Sequence, residues 1–166
     1  MAPPSYRRGH TFRAEYGSVL GDMLVIATVV LPLVSVGLHY ELLVLASNAV
    51  RLLPGSGRAD VLPAVVLALV AHVLEVVVFA LGWLVLIRAG VVELSLPSPT
   101  LAEIVYFSGS VYTSLGFGDI VPVNSGRFLV VIEAVTGLVL IAWTASFTFY
   151  QMREHWMEDE DERDGG

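Results

Sequence analysis

Residues 112–122 read YTSLGFGDIVP, with Gly116 and Gly118 on either side of an aromatic residue and Asp119 directly after them. Glycines at alternate positions allow backbone conformations that other residues are denied, so successive carbonyl oxygens can be turned to one side. The chemistry on offer is ligation by the backbone itself. Rings of oxygens from several copies of Ser114, Leu115, Gly116, Phe117 and Gly118 could replace the water shell of a cation. No nucleophile and base pair, phosphate-binding loop or enzymatic metal motif is present, and the chain has no cysteine, so the expectation is a non-enzyme without a cofactor.

Three further groups of ionisable residues interrupt apolar surroundings. Glu133 lies in a run of Val, Leu and Ala, where an ionisable side chain is expensive and is a functional candidate by default. It is read either as a structural buried acid or as a pH-sensitive brace, held by Ser110 or Thr113. His72 and Glu75 are three apart and share a helix face. HxxE can bind a metal, but two ligands on one helix make a weak site, so a polar contact to Thr28 or Ser35 on the preceding helix is the favoured reading. His39 and Glu41 are expected at a membrane interface.

The elements that position these residues follow from composition. The chain has 166 residues, of which 55% are hydrophobic and 15% charged. With a mean hydropathy of +0.74 it is too apolar for an ordinary soluble domain of this size. That apolar composition makes membrane lipid the expected surrounding, and a net charge of −7 with no lysine argues against nucleic acid as a partner. A spanning helix needs about 20 apolar residues; segments 19–46, 61–87 and 128–150 qualify. The first follows Arg7, Arg8 and Arg13 without a cleavage site and is read as a retained span. Residues 53–60 form a polar, turn-rich linker, and 152–166 an acidic tail.

Between the second and third spans, LSLPSPT at 94–100 breaks the helix, and Thr100 with Glu103 fits a capping box. The helix over 101–113 would cover only about 20 Å at 1.5 Å per residue, too short to cross. It must enter the membrane and return. A surface-lying helix is the alternative, but the segment lacks the charged face such helices carry, and Ser108, Gly109 and Ser110 suit close packing in a bundle.

The segment YTSLGFGDIVP closely resembles the filter of the potassium-channel pore-domain family, usually TTVGYGD, and the likeness runs on through Gly126-Arg127. The resemblance covers about residues 62–151 and is of the bacterial type with two membrane helices and a pore loop. It implies an all-α membrane protein: outer helix 61–88, pore helix 100–113, filter 114–118 and inner helix 127–151, preceded by residues 1–18 and an additional membrane helix with its linker at 19–60. Ser114, Leu115, Gly116, Phe117 and Gly118 would coordinate K+. Thr113, Asp119, Tyr106, Ser110 and Glu133 would support them, with a Tyr106 hydroxyl to Asp119 bond at the outer mouth. Ser114 and Phe117 depart from the usual Thr and Tyr. Gly137 falls at the family's hinge position, where bending and close packing against the outer helix are equally good readings. Helical spacing from Gly137 selects Leu138, Ile141, Ala145 and Phe149 as an apolar cavity stripe.

The expected function is passive, potassium-selective conduction by a homotetramer in the cell membrane, a bacterial inner or plasma membrane. Weakly selective cation conduction, or a pore subunit of an uptake system with a separate regulatory chain, are the alternatives. No regularly spaced arginines mark a voltage sensor. The pore order puts the N-terminus outside, against the usual cytoplasmic placement of Arg7, Arg8 and Arg13, which Arg51, Arg58 and Arg153 partly offset. A first helix lying along the inner surface would remove that conflict.

Overall fold

The computed structural model of the chain describes residues 4–52, 62–123 and 125–164, with side chains over 19–50, 62–123 and 125–153. The described residues form four helices: α1 (Pro4–Leu52), α2 (Leu62–Arg88), α3 (Leu101–Tyr112) and α4 (Arg127–Asp164). Among them the only strand-like pairing is one antiparallel bridge, Leu94 to Pro122. Three helices are long and apolar enough to cross a membrane, over Val19–Val50, Leu62–Arg88 and Arg127–Arg153. With its 12 residues, α3 rises about 18 Å and is not. The chain is a multi-pass membrane protein built as a pore module, α2 to α4, with an extra N-terminal helix. The linker at 53–60 and the side chains of Arg7, Arg8, Arg13, Arg51, Arg58 and the acids of the tail lie outside the described residues.

Helix α1 runs antiparallel to α2 along its length. Leu31 meets Gly82, where a Cβ would fall 2.5 Å from Leu31 Cδ1. His39 meets Glu75 further along, and Ala46 and Val50 pack with Ala64, Leu67 and Phe147 at the far end. This is membrane packing by small residues. Ala64, Ala68 and Ala71 of α2 are buried on the face that carries Glu75, and they let the backbones approach. The first helix is therefore a span beside α2, not a surface element. It also exceeds the expected 19–46 at both ends, because the membrane limits only its apolar stretch.

Helix α3 sits inside the bundle. Ile104, Phe107 and Val111 join Trp83, Leu86, Leu94 and Leu129 in one core, and the Trp83 and Phe107 rings meet edge to face with centroids 5.2 Å apart. That burial excludes the surface-lying alternative. Helix α4 continues past the expected end at 150 to Asp164. The REHWMEDEDER stretch at 153–163 is polar but rich in good helix formers, so charge ends the membrane span without ending the helix.

Candidate functional site

The site begins at the capping box of α3. Glu103 N–H donates to Thr100 Oγ1 at 3.3 Å, and Thr100 N–H donates to Glu103 Oε2 at 2.7 Å. The Thr100 N–H bond first, and then the Thr100 hydroxyl donating to Glu103 Oε2 at 2.7 Å, hold the Glu103 carboxyl below its ordinary range. At the other end Thr113 caps the helix, its hydroxyl donating to the Gly109 carbonyl at 2.7 Å. Ser114 N–H donates to Val111 O at 2.9 Å, and Gly116 N–H to Ser110 O at 3.1 Å. The negative end of the α3 dipole thus lies where the glycine loop starts, and that end favours cations.

Along the loop, Ser114, Gly116 and Gly118 have φ of 59°, 54° and 78°, while Leu115 and Phe117 between them do not. A backbone that alternates in hand can turn successive carbonyls to one side. At Gly116 and Gly118 an added Cβ would meet nothing within 4 Å, so conformation, not crowding, requires glycine there. Ser114 has no such freedom and carries strain on the order of 1–2 kcal/mol, of the kind that collects at functional loops. Residues 113–119 are exposed in the single chain, Leu115 and Phe117 each to 64%.

One face of α3 grips this loop at two points one turn apart. Tyr106 Oη donates to Asp119 Oδ2 at 2.9 Å, and its ring stacks on Phe117 with an interplanar angle of 5°. The adjacent carboxylate pushes the Tyr106 phenol up from its ordinary pKa. Ser110 Oγ accepts from Phe117 N–H at 3.3 Å. Behind the loop, Val123 N–H donates to Glu93 O at 2.9 Å and Ser95 N–H to Val121 O at 2.8 Å. These bonds tie the chain after the loop to the segment before α3.

The opposite face of α3 carries Ser108 and Tyr112, both buried. Ser108 Oγ donates to Glu133 Oε1 at 2.5 Å, and Trp83 Nε1–H donates to Oε2 at 2.6 Å. Glu133 does lie against α3, but its partner there is Ser108, not Ser110 or Thr113. Ser108 precedes Ser110 by two positions, about 200° around the helix, so only one of them can face α4. Trp83 was not anticipated; an indole N–H in an apolar span needs an acceptor, and that requirement was the available signal.

Gly137 packs against α3: the atoms nearest an added Cβ are those of Tyr112, and it would run into the Tyr112 carbonyl oxygen. Leu138, Ile141, Ala145 and Phe149 line one uncovered face of α4.

A second cluster joins all four helices. Glu75 is fully buried and receives His39 Nδ1 at 2.7 Å, His72 Nδ1 at 3.1 Å and the Tyr112 hydroxyl. His39 is thus at the centre of the bundle and not at an interface, whereas Glu41 is exposed. The expected partners of His72 and Glu75 do not take part: Thr28 bonds back to the Leu24 carbonyl at 2.7 Å, and Ser35 Oγ is buried with no hydrogen bond among the described residues. Thr144 of α4 completes the cluster, 3.0 Å from His72 Nε2 and 3.4 Å from His39 Nε2. A histidine mid-span seeks a buried acid, and His39 carried that signal.

Comparison with curated proteins and with solved structures yields no match. A protein-family model described as "Ion channel" matches residues 65–154, from early in α2 into the last part of α4. That range takes in the capped short helix, the alternating loop and the helix that packs behind both, and the chain belongs to that ion-channel family.

Proposed function

We propose that the chain is the subunit of a potassium-selective channel that works as a homotetramer in the cell membrane and conducts K+ passively. The observation that carries this reading is the alternation of backbone hand at Ser114, Gly116 and Gly118, placed at the carbonyl end of α3. One chain supplies one such segment, and a closed ring of carbonyl ligands needs several, four in the expected assembly. The exposed loop and the uncovered apolar face of Leu138, Ile141, Ala145 and Phe149 are the surfaces that an assembly would bring together around an ion path. In this reading Ser114, Leu115, Gly116, Phe117 and Gly118 present the oxygens. Tyr106, Ser110, Thr113 and Asp119 hold them, and an apolar inner mouth gates by dewetting. No catalytic step and no cofactor form part of it.

Ion flux from liposomes that hold the purified chain alone tests the reading. The expected result is K+ flux without Na+ flux; no K+ flux under any ionic condition or pH overturns it. A second reading, weakly selective cation conduction, is favoured by Phe117, whose ring has the Tyr106 stack but no hydroxyl with which to anchor the loop. Reversal potentials in mixed K+ and Na+ separate the two. Dependence on a separate regulatory chain is excluded by flux from the chain alone.

A further inference from the structure

We propose that His39, His72 and Glu75 bind a divalent transition-metal ion of the zinc type inside the membrane, at the junction of the four helices. The three residues offer ligand atoms that all lie within 4.8 Å of one another. Two imidazoles and a carboxylate are a donor set that holds zinc with a fourth position open. The Tyr112 hydroxyl bonds Glu75 and lies 2.9 Å from His72 Nδ1, beside two of the three donors, and is the neighbouring oxygen available as a fourth ligand. With metal–nitrogen bonds of about 2.0–2.1 Å, the edges of a tetrahedron are about 3.3 Å long. His39 Nδ1 faces Glu75 Oε1 at 2.7 Å and His72 Nδ1 faces Oε2 at 3.1 Å, about 0.6 and 0.2 Å short of such an edge, so the carboxylate would turn and the His39 contact would open to admit the ion.

The count of hydrogens points the same way. If both Nδ1 atoms carry hydrogen to serve Glu75, both Nε2 atoms are acceptors, and both face Thr144 Oγ1, which has one hydrogen to give. One ring nitrogen is then left against an oxygen lone pair. A metal ion in place of the two Nδ1 hydrogens reverses this. Each Nε2–H then donates to a lone pair of Thr144, the outer bond that metal-held histidines commonly make. The charge argument agrees, since the ion pairs of Glu75 among the described residues are with these histidines and include no arginine. The way in passes His72, whose side chain is 18% exposed while those of His39 and Glu75 are fully buried. A bound ion would link α1 to Tyr112, two residues before the glycine loop.

The test is independent of conduction, and so of the reading above. Full-length protein stripped with EDTA is titrated with CoCl2, and the visible bands of tetrahedral cobalt are followed, then chased with ZnCl2. One Co2+ per chain with such bands, displaced by Zn2+, is expected. The bands should be lost in His39→Gln and in His72→Gln, with folding checked by circular dichroism. Thr144→Val should keep the bands but bind about 10–100-fold more weakly. If the wild-type protein gives no bands, the cluster holds a proton in place of the metal and the proposal is overturned. Bands that persist in the double variant His39→Gln/His72→Gln overturn it equally. Should the glutamine variants fail to fold, the wild-type titration and Thr144→Val still decide.

Discussion

The Tyr106 hydroxyl donates to Asp119 Oδ2 at 2.9 Å and links the second turn of α3 to the residue directly after the glycine loop. The same ring lies parallel to Phe117, so one side chain braces the loop by a polar contact and an apolar one. Tyr106→Phe removes the first and keeps the second. The acceptor is charged, but Tyr106 is 45% exposed in the single chain, so solvent screens the bond and its loss should be read at the loop and not in overall stability. For the proposed channel, the expected outcome is an intact assembly whose K+ current inactivates faster than wild type in planar bilayers. Unchanged inactivation would show that the bond does not hold the loop.

Gly118→Ala meets no steric obstacle, since nothing lies within 4 Å of the added carbon. The positive φ of 78° alone costs it on the order of 1–2 kcal/mol. We expect near wild-type helical content together with loss of K+ flux or of selectivity. Retained selective flux would mean that the left-handed backbone is not needed for conduction.

Gly137→Ala forces a carbon onto the Tyr112 carbonyl oxygen, which is backbone and cannot swing away. Overpacking of this kind costs about 1–3 kcal/mol or more. The detergent-solubilised protein should melt at a lower temperature with or without any effect on gating. An unchanged melting temperature combined with altered open probability would favour the hinge over the packing role.

Glu133→Gln keeps an acceptor for Trp83 and a polar group for Ser108, whereas Glu133→Leu leaves the indole N–H and the Ser108 hydroxyl without this partner. The Ser108 hydroxyl keeps the Val76 carbonyl as an acceptor at 3.0 Å, so the indole N–H is the group left unsatisfied, at a cost of about 1–3 kcal/mol. Thermal melts should place the glutamine variant near wild type and the leucine variant well below it. Equal melting of the two would remove the bracing role.

The capping box gives a pH dependence with a defined sign. Bonding in the folded state lowers the Glu103 pKa below its ordinary 4.5, so its contribution is present above that value and is lost as pH falls through the lower, folded value. Wild type should therefore melt above Glu103→Gln at neutral pH, and the gap should close as acid takes the pH below the lowered, folded value. High salt should narrow it as well, because the group is exposed. A gap that does not change with pH would assign the effect to helix propensity.

Hydropathy made the three spans legible, because a membrane demands about 20 apolar residues wherever a helix crosses. The expected 61–87 and the observed Leu62–Arg88 differ by one residue at each end. Local chemistry also located the start of α3, since Thr100 and Glu103 satisfy each other's backbone regardless of what surrounds them. The same holds for the glycine loop, where residue type answers directly to backbone conformation.

Which side chain meets which across helices was a different matter. That Ser108 and Trp83 and not Ser110 hold Glu133, that Gly137 fits under Tyr112, and that His39 closes a cluster with Glu75 depend on rotation and register among packed helices. Spacing within one helix shows that His72 and Glu75 share a face but cannot say what that face touches. The apolar residues around these groups would pack acceptably in several registers. The tertiary structure selected the one in which Glu75 and Glu133 find their polar partners, because an unpaired charged or polar group costs more in hydrocarbon than a less close apolar contact.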